Sequence, residues 1–129
     1  MEKKRSVGMI RIAGILFIVS ALGQGFFAIP EIKDAVKGLA HYWSNRIYMY
    51  SWLVNLSMWM TGILALYGAS SLNRGKRNYL IIIIPALYAF VMAILILIFT
   101  PSDWWHSISM FIGVILIFFS LPKVKEGFK

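Results

Sequence analysis

Four uninterrupted apolar runs, each close to twenty residues long, constrain this chain more than any other feature. They extend over about Val7–Ile29, Ile47–Ser70, Tyr79–Thr100 and Trp104–Leu121. A helix needs roughly 20 apolar residues to cross a hydrocarbon layer about 30 Å thick, so each run has the length of one span. The apolar residues surround each segment instead of forming one stripe, which suits a helix bathed in lipid. Barrel strands would be shorter and would alternate. The β-branched stretch Leu80–Ile84 would favour a strand in water, but within lipid every backbone group must pair inside its own segment. The expected fold is therefore an all-α membrane protein, a four-helix bundle in a single domain over residues 1–129.

Composition excludes the soluble alternative. In 129 residues, 60% are hydrophobic and 14% charged. A domain this small has too little interior to hide that much apolar surface from water. There is no cysteine, so thiolate metal sites, disulfides and thiol nucleophiles are absent from the chemistry. The formal charge of +8 does not form a nucleic-acid face, because the basic residues flank the apolar runs.

Those flanks give a direction. Lys3, Lys4, Arg5, Arg11, Arg74, Lys76, Arg77, Lys123, Lys125 and Lys129 fall on one side with Glu2 and Glu126. Lys33, Lys37 and Arg46 fall on the other, balanced by Glu31, Asp34 and Asp103. The positive-inside rule then predicts cytoplasmic termini in the cell membrane. Ala21-Leu22-Gly23 resembles a signal-peptide cleavage site, but the apolar run continues through Ile29 and Arg11 interrupts the region that a signal peptide keeps apolar.

The one long connection starts at Pro30, a residue suited to the first turn of a helix. Ile32, Val36, Leu39 and Trp43 recur at helical spacing, which predicts a short interfacial helix over about 31–43. Tyr42, Trp43, Tyr48, Tyr50, Trp104 and Trp105 have the amphipathic rings of a headgroup belt. A duplication is also legible. Aligning Trp43 with Trp104 matches Ile47 with Ile108, Met49 with Met110 and Tyr50 with Phe111, which suggests two related hairpins.

Lipid does not drive helices together, so small and polar residues must do so. Gly14, Ala21, Gly25 and Ala28 mark one face of the first span. Asn55, Gly62 and Ala69 mark the second, Ala86, Ala89 and Ala93 the third, and Ser109 and Gly113 the fourth. Gln24 and Asn55 are the expected polar glue. Pro85 removes one backbone bond inside the third span and predicts a kink.

No Asp, Glu or Lys stands inside the hydrocarbon length, which argues against ion-coupled transport. There is no hydrolase, phosphate-loop or dinucleotide motif. His41 and His106 both fall on the outer side, and Asp103 and Trp104 adjoin the second of them. A haem, metal or quinone bound by His41, His106, Asp103 and Trp104 is one expectation, although no metal is specified. A small-solute path along Gln24, Asn55 and Thr61 is a weaker one. The preferred expectation is a non-catalytic accessory or assembly subunit whose partners are the bilayer and other membrane subunits, or further copies of itself.

Arg11-Ile12-Ala13-Gly14-Ile15-Leu16-Phe17 and Asp103-Trp104-Trp105-His106 with Gly113 resemble small prokaryotic four-helix membrane proteins, DoxX-like in outline. That resemblance implies a four-span bundle and, for some members, quinone-dependent sulfur oxidation. No motif carries that activity over to particular residues.

Overall fold

A computed structural model describes residues 2–99 and 104–126. Every element in it is helical: α1 (Glu2–Gly23), a π-helical turn (Gln24–Ala28), α2 (Ile29–Ala35), α3 (His41–Asn73), α4 (Leu80–Phe99) and α5 (Trp104–Glu126). Four helices are long and apolar enough to cross a membrane, because α1, the π turn and α2 form one continuous rod over Lys4–Ala35.

The expected helix over about 31–43 is not a separate element. Glu31–Ala35 prolongs the first rod, a turn follows, and His41–Trp43 already belong to α3. The reason lies at Pro30. A proline inside a helix lacks an N–H and crowds the carbonyl four residues back. Here the preceding turn widens to i→i−5 pairing, with Ile29 N–H donating to Gln24 O. The wider turn makes room for the ring, and the helix continues instead of ending.

The helices form a four-membered ring in which α1 adjoins α3 and α5, and α4 adjoins α3 and α5. The core is a layer of Ile10, Phe17, Met58, Ala65, Ile82, Ala89, Met110 and Ile117. At the α1/α3 crossing, a Cβ on Gly62 would stand 2.9 Å from Gly14 O and one on Gly14 would stand 3.1 Å from Gly62 O. Only paired glycines permit backbones so close. Gly75 ends the hairpin turn after α3 at φ +84, a left-handed conformation that glycine adopts without steric cost.

The two hairpins repeat, but not in the expected register. Met49 is 51% exposed whereas Met110 is fully buried, so Trp43 and Trp104 are not equivalent. Trp52 is the true counterpart of Trp104. Trp52, Asn55, Ser57, Met58 and Trp59 correspond to Trp104, Ser107, Ser109, Met110 and Phe111. The hydrogen bonds fix this register. Asn55 Nδ2 donates to Ala21 O at 2.5 Å and Ser107 Oγ donates to Ala93 O at 2.9 Å. Ser57 and Ser109 each donate to the carbonyl three residues back, at 2.6 and 2.8 Å, and each also pairs with a hydroxyl across a seam, of Tyr88 and Ser20 respectively. On the outgoing helices, Ile10, Ala13, Gly14, Phe17 and Ala21 answer to Ile82, Pro85, Ala86, Ala89 and Ala93, all buried. The bundle thus has an approximate internal twofold axis that relates α1 to α4 and α3 to α5.

The hairpins differ in length. In this register α4 ends opposite Phe27 and α5 begins opposite Trp52. At 1.5 Å per residue the first hairpin therefore projects about 15 Å beyond the second. Ala28, Ile29 and Val36 are buried along it.

Candidate functional site

Polar groups collect at one level of the bundle, where α1 passes into the π turn and α5 begins. His106 is 2% exposed. Its ring stacks on Trp105 with centroids 3.5 Å apart. Both rings lie over Gly23, where a Cβ would collide with Trp105 and stand 2.9 Å from His106 Cε1. Glycine at 23 therefore leaves the space that the imidazole fills. The twofold counterpart of His106 is Val54, so this histidine interrupts an otherwise apolar pattern.

Around it, Asn55 holds α3 to Ala21, Ser107 holds α5 to Ala93, and Ser109 links His106 O to Ser20. Gln24 Oε1 is buried with no hydrogen-bond partner among the described residues. Pro30 has no N–H for the carbonyls one turn back, which adds unspent acceptor capacity to the π turn. Beside it, a crevice of about 180 Å³ is lined by Ala21, Gly25, Phe26, Trp52, Asn55 and Trp59. π turns of this kind occur often at functional positions.

The residues expected from sequence separate into distinct places. His41 is exposed in the first turn of α3 and pairs through Nε2 with Asn45 Nδ2 at 3.1 Å. It stands about 20 Å along α3 from the level of Asn55, whereas His106 lies against Gly23 at nearly that level. The two imidazoles do not converge, and a bis-histidine haem does not fit them. Asp103 lies outside the described residues. Trp104 is 57% exposed, and the stacking ring on His106 comes from Trp105, itself 38% exposed. Among the described residues no group of three or more His, Cys, Asp or Glu side chains could hold a metal.

The Gln24–Asn55–Thr61 path is also divided. Thr61 Oγ1 donates to Ser57 O at 2.8 Å. It faces a different, apolar groove of about 400 Å³ between α3 and α4, lined by Leu53, Ser57, Met60, Pro85 and Tyr88. Asn55 bonds across helices to Ala21 O.

Sequence reasoning missed Gly23, Trp105, Ser20, Ser57, Ser107 and Tyr88. The three serines and the tyrosine bond across helices, and single hydroxyls in an apolar run do not announce that. The repeated Ser-Met-aromatic triplet, at Ser57 and Ser109, would have revealed one of them, Ser57.

No known protein family matches this chain, and neither the curated proteins nor the solved structures include a significant match.

Proposed function

We propose that this chain is a four-span integral protein of the cell membrane, with cytoplasmic termini, that serves as a non-catalytic accessory or assembly subunit. The observation that carries this reading is the projecting hairpin. Beyond the reach of α4 and α5 it presents Tyr42 and Trp43, 59% and 56% exposed, in edge-to-face contact. Beside them stand Arg46 over the Tyr42 ring at 4.9 Å and a Lys37–Asp34 ion pair at 2.6 Å. Exposed aromatics with an arginine among them have the composition of a protein-contact centre. Inside the bundle Ser20, Asn55, Ser57, Tyr88, Ser107 and Ser109 are committed to bonds between helices, which supports a structural role over a reactive one.

Gentle solubilisation is expected to recover a stoichiometric partner. Replacing Tyr42 and Trp43 with alanine should release that partner while leaving the bundle folded. Recovery of a homo-oligomer alone, from wild type and variant alike, would overturn the reading.

The buried His106, stacked on a partly exposed Trp105, favours one second reading, a quinone-associated subunit in which a single imidazole contacts a quinone carbonyl. Extraction of quinone with purified wild type, and its loss with His106→Leu, is the result this reading requires. A quinone-free preparation sinks it.

A further inference from the structure

The α1/α5 seam opens at the basic end of the bundle into a cavity of about 310 Å³ lined by Arg5, Ser6, Met9, Phe119 and Lys123. Its wall is graded. Arg5 and Lys123 are exposed at the mouth. Ser6 is 1% exposed, and its Oγ has no hydrogen-bond partner among the described residues. One turn deeper, Met9 on α1 and Phe119 on α5 supply apolar surface. The order along the seam is cation, hydroxyl donor, thioether and aromatic ring. A ligand that satisfies both ends has an anionic group joined directly to an apolar body.

The internal twofold axis supplies an independent observation. Arg5, Ser6, Met9 and Phe119 answer to Arg77, Asn78, Ile81 and Tyr67, so the α3/α4 seam carries the same graded sequence at the same end. There the α3–α4 connection occupies the mouth. Ser71, Arg74 and Lys76 close around Tyr67 and leave a space of only about 10 Å³, while Asn78 and Ile81 line a separate space of about 330 Å³ with Leu64, Ile84 and Pro85. Among the described residues no connection between helices crosses the α1/α5 mouth.

We propose that this mouth binds the phosphate headgroup of an anionic phospholipid. Arg5 and Lys123 neutralise the phosphate, Ser6 Oγ donates a hydrogen bond to it, and Met9 and Phe119 pack on the glycerol and first methylenes. Basic pockets between helices on the cytoplasmic side have the charge and depth for such headgroups, and guanidinium matches phosphate geometry. The site rests on the membrane reading given above.

The test is thermal unfolding of the full chain in zwitterionic detergent, titrated with phosphatidylglycerol, with phosphatidylcholine, or with inorganic phosphate. Phosphatidylglycerol is expected to raise Tm saturably, and the other two are not. At about 1 kcal/mol per basic residue near an anionic group, Arg5→Gln with Lys123→Gln should raise the half-saturating phosphatidylglycerol roughly thirtyfold. Arg74→Gln with Lys76→Gln removes equal charge at the same end and should change it less than about threefold. Ser6→Ala should give an intermediate loss with the fold intact. Equal responses to the two lipids, or equal losses in the two double variants, would overturn the site. A full response to inorganic phosphate would assign it to a soluble anion and overturn the lipid assignment. Release of the chain from membranes by alkaline carbonate would remove the membrane reading itself. Retention in the membrane with no lipid preference would remove the site alone.

Discussion

At the α1/α5 seam Phe17 lies across Gly113, where a Cβ would stand 2.5 Å from Phe17 Cε1. At the α3/α4 seam the equivalent positions are Ala89 and Thr61. A hydroxyl pair crosses each seam, Ser109 with Ser20 in one and Ser57 with Tyr88 in the other, although Tyr88 stands one turn from Met92, the counterpart of Ser20. Yet the first seam is filled along this stretch and the second leaves a groove of about 400 Å³. Equivalent backbones and similar hydrogen bonds therefore do not secure equivalent packing. Side-chain volume decides it, because an alanine opposite a threonine cannot occupy the space that a phenylalanine takes over a glycine.

The comparison can be broken or sharpened by substitution, with reversible unfolding in mixed micelles as the measurement. The largest effect is expected at the α1/α3 crossing. Gly62→Leu presses a side chain against the Gly14 backbone, which has no freedom to yield, and should cost about 3 kcal/mol. Its counterpart Val114 already holds a branched side chain, so Val114→Leu should cost about 1 kcal/mol. Equal losses at the two sites would mean that the close crossing is not special to the first hairpin.

Next in size is the seam pair. Gly113→Ala forces the Phe17 ring to move and should cost about 2 kcal/mol. Thr61→Ala borders a groove and gives up only a bond within its own helix, so its loss should be less than half as large. If Thr61→Ala proves the costlier, the α3/α4 seam is tightly packed after all.

The interhelical bonds come third. Asn55→Leu and Ser107→Ala each remove one donor to an alanine carbonyl and should each cost about 1 kcal/mol. Similar values would confirm them as equivalent members of the repeat. The smallest effect is the coupling of Ser57→Ala with Tyr88→Phe in a double-mutant cycle, about 0.6 kcal/mol. The Ser20→Ala and Ser109→Ala cycle should give a like value, and a clear difference would separate the two seams in polar contacts as well as in volume.

Much of the fold was legible in the residues. Four apolar runs became four long helices, and Gly14, Gly62, Ala86, Ala89, Ala93 and Gly113 all lie at packed positions. Pro30 was misleading because its meaning depends on the hydrogen bonds of the turn before it. Followed by polar residues, it reads as a helix start, and only the widened π turn reveals that the helix runs through. The repeat was legible in kind but was read in the wrong register. Trp43 and Trp52 are equally good matches to Trp104 by type, and burial and the Asn55 and Ser107 bonds choose between them.

The candidate site was less legible. His41 and His106 look alike in sequence, each beside an aromatic residue near the end of an apolar run. One is exposed and bonds within its own helix, and the other is enclosed over Gly23. That difference arises on α1, far away in the chain, so no local pattern around either histidine contains it.

The sequence by itself determined the helices, their number and the end of the bundle where basic charge gathers, because hydropathy and charge are properties of each segment alone. Tertiary structure decided the register of the repeat, the burial of His106, the projection of the first hairpin and which of two equivalent seams stays open. Each of these depends on volumes and hydrogen-bond partners contributed by a different helix.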